Sequence, residues 1–254
     1  MEKLRLDDVE FINGFILQNQ ESLLNLKKEY TNDEIAETID HTILKPEATP
    51  DDVVEICNEA IKYSFVSVCV NSCYAPLVSS ILENSDVNTC VVVGFPLGAM
   101  STASKVNETK DAIEYGANEI DMVINIGMLK QAEYKYILND IKAVSDTAHE
   151  MDAICKVIIE TALLSDEEKV KACLLSIEAK ADFVKTSTGF NGGGATVEDV
   201  SLMKRVVGDE LKVKASGGVR SREDAVNVLN AGADRIGASA GVKIVTNQIS
   251  SGNY

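Results

Sequence analysis

The sequence has no tryptophan, and aromatic residues make up only 5% of its 254 residues. Its core must therefore be filled by valine, isoleucine, leucine and alanine, which suits parallel strands covered on both faces by helices. Cationic residues are also scarce: 24 lysines and arginines stand against 40 aspartates and glutamates, a net charge of -16. Nucleic acid and anionic membranes both require a basic footprint, so neither is expected as a partner. A phosphorylated small molecule remains compatible, provided that backbone amides and a few local lysines override the overall field. No apolar run is long enough to span a membrane, and Met1 to Asp8 is acidic where a secretion signal would be apolar, so a cytoplasmic location is expected. With His41 and His149 the only histidines, a histidine-rich metal centre is not expected. Cys57, Cys69, Cys73, Cys90, Cys155 and Cys173 lack Cys-x-x-Cys pairs and read as reduced core residues, with Cys69 the exception because it ends a strand aimed at a candidate site.

What is present is a regular alternation of short strands and amphipathic helices. Residues 1–35 read as a helical arm, with Thr31 and Glu34 forming a capping box for a short helix. This arm is either a lid over one barrel end or a subunit contact. Strands are predicted at Ile39–Leu44, Phe65–Val70, Cys90–Phe95, Ile120–Asn125, Ile154–Glu160, Phe183–Ser187, Val213–Ser216 and Arg235–Ser239. Thr49 and Pro50 open the first intervening helix as N-cap and N1 residues. A recurring joint, Gly116-Ala117-Asn118, Lys180-Ala181-Asp182 and Gly232-Ala233-Asp234, leads from a helix end into a strand, and its spacing gives roughly 26 to 32 residues per unit. Eight such units predict one (β/α)8 TIM barrel over residues 36–240, with an N-terminal helical extension and a C-terminal helix and tail at 241–254; an open doubly wound sheet is the alternative.

Polar residues inside apolar strands locate the chemistry. Lys185 interrupts a buried strand that runs into a glycine-rich turn with Thr188 and Gly189. An ammonium there must be paired, delivered to a cavity or discharged. Asp40 and Thr42 on the first strand, Asp121 on the fourth, Lys156 on the fifth and Lys214 on the seventh are further candidates. Three lysines and two aspartates in the strands of one closed barrel are best satisfied by converging on a common cavity. Lys214 beside Lys185 would disfavour a second ammonium and keep Lys185 partly neutral, as a carbonyl nucleophile must be, while Asp121 exchanges protons. Lys212 lies on the same side of its strand, but Lys214 is nearer the C-terminal end, where barrel chemistry lies. The turns Ser216-Gly217-Gly218 and Gly237-Ala238-Ser239 follow the seventh and eighth strands and have the makings of a phosphate cup.

Ile39-Asp40-His41-Thr42, Gly94-Phe95-Pro96-Leu97-Gly98, Glu119-Ile120-Asp121-Met122-Val123, Lys156 to Thr161, Val184-Lys185-Thr186-Ser187-Thr188-Gly189-Phe190 and Lys214 to Arg220 resemble, in order, the deoxyribose-phosphate aldolase family. The resemblance covers about residues 36–240. It implies a cofactor-free class I aldolase that cleaves 2-deoxy-D-ribose 5-phosphate reversibly into acetaldehyde and D-glyceraldehyde 3-phosphate. Apart from the resemblance, a homo-oligomer, dimer or tetramer, is expected because most oligomers are symmetric assemblies of one chain. The resemblance also implies that Lys185 is the Schiff-base lysine, that Asp121 and Lys214 form the proton relay, and that Gly217, Gly218 and Ser239 bind phosphate. Phe190 departs from members with a lysine that helps attract phosphate, and Ala240 from members with a second serine. Some members end in a tyrosine that assists proton exchange, which makes Tyr254 a candidate. No metal is implied. Another Schiff-base aldolase of phosphorylated sugars, or a barrel that binds sugar phosphate without chemistry, are the competing readings.

Overall fold

The computed structural model describes residues 4–22 and 28–247. Its centre is a closed barrel of eight parallel strands in sequence order: β1 (Ile39–Thr42), β2 (Ser67–Val70), β3 (Asn88–Val93), β4 (Glu119–Val123), β5 (Ile154–Ile158), β6 (Phe183–Lys185), β7 (Lys212–Ser216) and β8 (Arg235–Ala238). The ring closes where β8 pairs with β1, with Gly237 opposite Asp40. β2 and β7 end where the sequence suggests, at Val70 and Ser216, and the other six strands end one or two residues earlier. Glu160, Ser187 and Thr188 therefore lie on loops at the C-terminal mouth of the barrel.

Helices α3 (Pro50–Tyr63), α4 (Ala75–Leu82), α5 (Thr102–Glu114), α6 (Ile126–Lys130), α7 (Tyr134–Glu150), α8 (Asp166–Glu178), α9 (Val197–Val207), α10 (Arg222–Asn230) and α11 (Gly241–Thr246) lie between or after the strands. Their starts are chemically fixed. Capping boxes pair Thr49 with Asp52, Ser165 with Glu168 and Ser221 with Asp224, each satisfying amides that the first turn leaves open. The recurring joint has a common geometry. Gly116, Lys180 and Gly232 adopt positive φ. The next amide, of Ala117, Ala181 or Ala233, reaches back to the carbonyl of Ala112, Ser176 or Val228, a Schellman closure. The third residue then uses its side chain: Asn118, Asp182 and Asp234 accept the amides of Thr89, Cys155 and Val213 on the preceding strand. Each joint thus ends a helix and fixes the start of a strand pair.

Strand parity separates two interiors. Val91, Val93, Ile120, Met122, Val157, Val184, Val213 and Ile236 join the large core between strands and helices. Inside the barrel, Leu44, Cys69, Cys90 and Val92 form a small separate apolar group against Phe95. The other inward positions are largely polar. One cysteine departs from expectation: Cys73 is exposed, because it lies in the short 3-10 turn Ser72–Tyr74 after β2 and not in packed structure.

The arm contributes α1 (Val9–Ser22) and α2 (Asn32–Ala36), the latter capped by Thr31 and Glu34 as the sequence indicates. α1 packs against α8 and α9. Leu6 and Ile12 are buried in the main core. Residues 28–32 are tied to α10: Lys28 and Asn230 exchange backbone and side-chain hydrogen bonds, and Arg222 donates to Asn32 and the Tyr30 carbonyl. Tyr254 lies outside the described residues.

Candidate active site

The barrel interior holds an ionic layer centred on Asp121. Its Oδ2 accepts from Lys185 Nζ and Lys214 Nζ, both at 2.7 Å, while Oδ1 accepts from Lys156 Nζ at 2.8 Å. Lys214 also pairs with Asp40, and Lys156 lies 2.5 Å from Glu119 Oε2. Arg235 completes the layer, with Nη1 2.7 Å from Asp40 Oδ1 and Nη2 3.2 Å from Glu119 Oε1. Among the described residues, four cationic side chains thus meet three carboxylates.

Register sets this arrangement. Asp121 lies opposite Lys156, Lys185 opposite Lys214, and Lys214 opposite Arg235 on neighbouring strands. Room for the layer comes from Gly237, where a Cβ would lie 2.3 Å from Ser216 Oγ and 3.2 Å from Lys214 Cε. Glycine here makes space for the lysine stem, so its part in the site is steric. Lys212, one pair of residues earlier on β7, is exposed and lies over the Phe183 ring. Lys214, and not Lys212, enters the layer.

Charge complementarity outweighs burial. Burial pushes the Asp121 carboxyl up, yet Lys156, Lys185 and Lys214 hold it well below the usual carboxylate range. Asp40 is likewise pushed up by burial and held below that range by Lys214, Lys156 and Arg235. Burial opposes the charge of Lys214, but Asp121 and Asp40 raise its ammonium above the ordinary lysine value. Lys156 follows the same pattern, with burial overcome first by Asp121. Lys214 and Lys156 are therefore fixed cations. Lys185 meets one carboxylate, Asp121, where Lys214 and Lys156 each meet two or more. It also ends β6, and its side chain is 3% exposed where those of Lys156 and Lys214 are 0%.

The remaining expected residues fall into three groups. Asp40, Lys156 and Cys69 are fully buried and belong to the layer or its apolar flank. Cys69 and Cys90 approach the two Asp121 oxygens at 4.0 and 3.2 Å, where the hydrogen bond with Cys90 draws the Cys69 thiol down and burial drives the Cys90 thiol up. The donor sets Cys69, Cys90, Asp121 and Asp40, Cys90, Glu119 are close enough to hold a cation. Their carboxylates already face three ammonium groups and a guanidinium, so this chemistry suits an ion-paired layer better than a metal cage. At the mouth, Thr42 Oγ1 donates to the Asp40 carbonyl and Thr188 is bound to Glu160. Gly189, Gly217, Gly218 and Ser239 line the loop ends, the three glycines with positive φ. Gly194 packs so closely on Gly217 that a Cβ would lie 2.5 Å from its carbonyl oxygen, and Ala195 N donates to the Ser216 and Gly217 carbonyls at 3.0 and 2.9 Å. The loops after β6 and β7 are thereby joined backbone to backbone. Phe190 leans edge-to-face on Phe95, centroids 5.3 Å apart, and gives the rim an apolar wall.

Sequence reasoning assigned no role to Glu119, Arg235 and Glu160. Glu119 and Arg235 have the inward parity of assigned residues, two positions from Asp121 and Gly237, and that alternation was the available signal; Glu160 lies past the end of β5, where alternation gives none.

The family model described as DeoC/LacD family aldolase matches residues 35–248. A deoxyribose-phosphate aldolase of Finegoldia magna is 62% identical over 212 residues, covering 84% of this chain and 99% of that protein. The corresponding protein of Caldanaerobacter subterraneus is 57% identical over 221 residues, covering 87% and 96%. Among solved structures, a tetrameric deoxyribose phosphate aldolase from Aeropyrum pernix superposes with a TM-score of 0.81 at 33% identity, covering 90% of this chain and 95% of that one.

Proposed function

The chain belongs to the DeoC/LacD aldolase family, and on that premise we propose that it cleaves 2-deoxy-D-ribose 5-phosphate reversibly to acetaldehyde and D-glyceraldehyde 3-phosphate through a Schiff base on Lys185. The observation that carries this reading is the shared Asp121 oxygen, 2.7 Å from both Lys185 and Lys214. An amine must be uncharged to add to a carbonyl. With four cationic side chains against three carboxylates, the layer balances when one amine is neutral, and Lys185 has the fewest carboxylate partners and the most open position.

Neutral Lys185 Nζ adds to the sugar aldehyde, and loss of water gives an iminium. Cleavage of the C2–C3 bond sends its electron pair into that iminium, and the C3 hydroxyl proton passes to the Asp121–Lys214 relay. Glyceraldehyde 3-phosphate leaves, the enamine is protonated, and hydrolysis frees acetaldehyde and Lys185. Lys214, fixed as a cation, stabilises negative charge developing at the reacting oxygen. Amides and the hydroxyl at Gly217, Gly218 and Ser239 receive the phosphate, with glycine permitting close approach. Thr42 and Thr188 border the sugar. Asp40, Lys156 and Cys69 act from beneath, by setting the positions of Asp121 and Lys214. We further place the protein in the cytoplasm as a homo-oligomer; among the described residues no helix is long and apolar enough to cross a membrane.

The test is borohydride trapping with acetaldehyde, read by intact mass and peptide mapping, with Lys185→Ala as control. One ethyl adduct on Lys185 is expected. No selective adduct would refute the Schiff-base reading and leave a barrel that binds without chemistry.

A further inference from the structure

Glu160 has no place in the ionic layer, yet it is almost fully buried and takes a conformation rare for a residue with a side chain. Its backbone lies in the left-handed region, at φ 60° and ψ 66°. Both carboxylate oxygens turn toward the loop after β6. Oε1 accepts from Thr188 N at 3.2 Å, and Oε2 accepts from Thr188 Oγ1 at 2.5 Å and Asn191 Nδ2 at 2.8 Å. Among the described residues no cation pairs with it. A buried carboxylate satisfied by neutral donors alone is costly to keep unless those bonds fix something.

What they fix is the loop between the reactive lysine and the glycine cup. Thr188 stands three residues after Lys185, Phe190 N donates to Thr188 Oγ1 at 3.1 Å, and Gly194 and Ala195 then join Gly217 and Ser216. The loop after β5 supports this from its other side: Thr161 N donates to the Thr186 carbonyl at 2.9 Å, and Gly193 sits where a Cβ would lie 2.3 Å from Ala162 Cβ. Three consecutive mouth loops are locked in series, and Glu160 is the side chain that grips the middle one. Lys185 itself is held independently, by strand pairing with Ile158 and Lys214.

We propose that Glu160 is a positioning residue for the phosphate-bearing end of the substrate: it holds the loop after β6 against the loop after β7, so that the Gly217-Gly218 amides keep the geometry an anion requires, without acting on the amine chemistry below. This rests on the sugar-phosphate reading above. Phosphorylated and unphosphorylated substrates should therefore respond differently to its loss.

The experiment compares the parent with Glu160→Gln, which keeps size but sets an amide NH2 against the donors of Thr188 and Asn191. Three readouts are taken: KM and kcat for deoxyribose 5-phosphate, kcat/KM for unphosphorylated deoxyribose, and deuterium exchange into acetaldehyde. KM for the phosphorylated sugar is expected to rise about tenfold or more, the scale of a lost hydrogen bond to a charged group. Deuterium exchange into acetaldehyde should stay within about twofold of the parent, and kcat/KM for unphosphorylated deoxyribose, which Thr188 also borders, should fall by a smaller factor than for the phosphorylated sugar. Asn191→Ala, a milder variant, should raise the same KM by a smaller factor, and the double variant should fall short of the product of the two single effects. Parallel losses in all three readouts, or no change in KM, would overturn the clamp. Loss of the acetaldehyde adduct on Lys185 in the parent would instead overturn the reading on which the clamp rests, so the two failures are distinguishable.

Discussion

Replacing Asp121 with asparagine tests whether the barrel interior is held by charge balance. The substitution keeps shape but leaves four cationic side chains against Asp40 and Glu119. Lys214 keeps Asp40 and Lys156 keeps Glu119, whereas Lys185 loses its carboxylate partner. Removing one partner from a buried ionic cluster costs about 3–5 kcal/mol. In a chain of this length that corresponds to a Tm lower by roughly 6–20 °C. Turnover should fall by about 10²- to 10⁴-fold, the usual worth of a positioned acid–base group. Borohydride trapping of acetaldehyde on Lys185 should persist, because iminium formation needs the amine and not the relay. Adding Lys156→Met to Asp121→Asn restores the parent's difference of one between basic side chains and carboxylates, so the double variant should regain much of the lost Tm while remaining inactive. Calorimetry and a coupled cleavage assay read the two quantities separately. An asparagine variant melting within about 2 °C of the parent, with a double variant no more stable, would refute charge balance as the principle of the layer.

Gly237→Ala should reduce kcat and destabilise the fold by about 1–3 kcal/mol, the range for overpacking, because its Cβ would lie 2.3 Å from Ser216 Oγ and 3.2 Å from Lys214 Cε. Adding Ser216→Gly should recover both, and failure to do so would mean that the contact with Ser216 is not the obstacle. The acid limb follows from Asp40 and Asp121, whose folded carboxyls lie below the ordinary value of 3.8. Their stabilisation is present above that value and is lost as pH falls through the lower folded values. Circular dichroism against pH should therefore show the parent and Asp40→Asn diverging in slope only below about pH 4. Divergence near neutrality would contradict the assignment.

The positions proposed to carry chemistry were legible because lysine and aspartate are conspicuous in apolar strands, and Lys185, Lys214 and Asp121 lie together in the barrel interior. The helix starts were legible for a local reason: Thr31, Thr49 and their acidic partners need only their own next three residues. Glu119 and Arg235 were harder to read. Each begins a strand, where a charged residue is ordinarily solvated, and only barrel closure turns both inward onto Asp40 and Lys156. Gly237 was legible as a glycine but not for its reason, since the space it opens is filled from β7, a different strand. Glu160 looked like the end of a strand, and its left-handed backbone is imposed by contacts with residues 28 to 31 positions later.

The division between strands and loops bears on how the activity could change. Lys185, Lys214, Asp121 and Lys156 all lie within strands whose register is fixed by their neighbours, so none can move without breaking a ladder. The two lysine nitrogens that share Asp121 Oδ2 are no more than twice 2.7 Å apart. Unscreened by that carboxylate, two like charges at about 5 Å would repel by about 3 kcal/mol at an effective dielectric of about 20. That repulsion favours one neutral amine in the pair, as the proposed nucleophile requires, so the proposed chemistry and the stability of the layer depend on the same carboxylate. The groups assigned to phosphate lie instead on loops joined through backbone contacts and the Glu160 side chain. A loop can be altered without disturbing the layer, whereas a strand residue cannot. Changes in acceptor preference should therefore be found at Phe190, Asn191 and their neighbours, and changes in the amine chemistry should be inseparable from losses in folding stability.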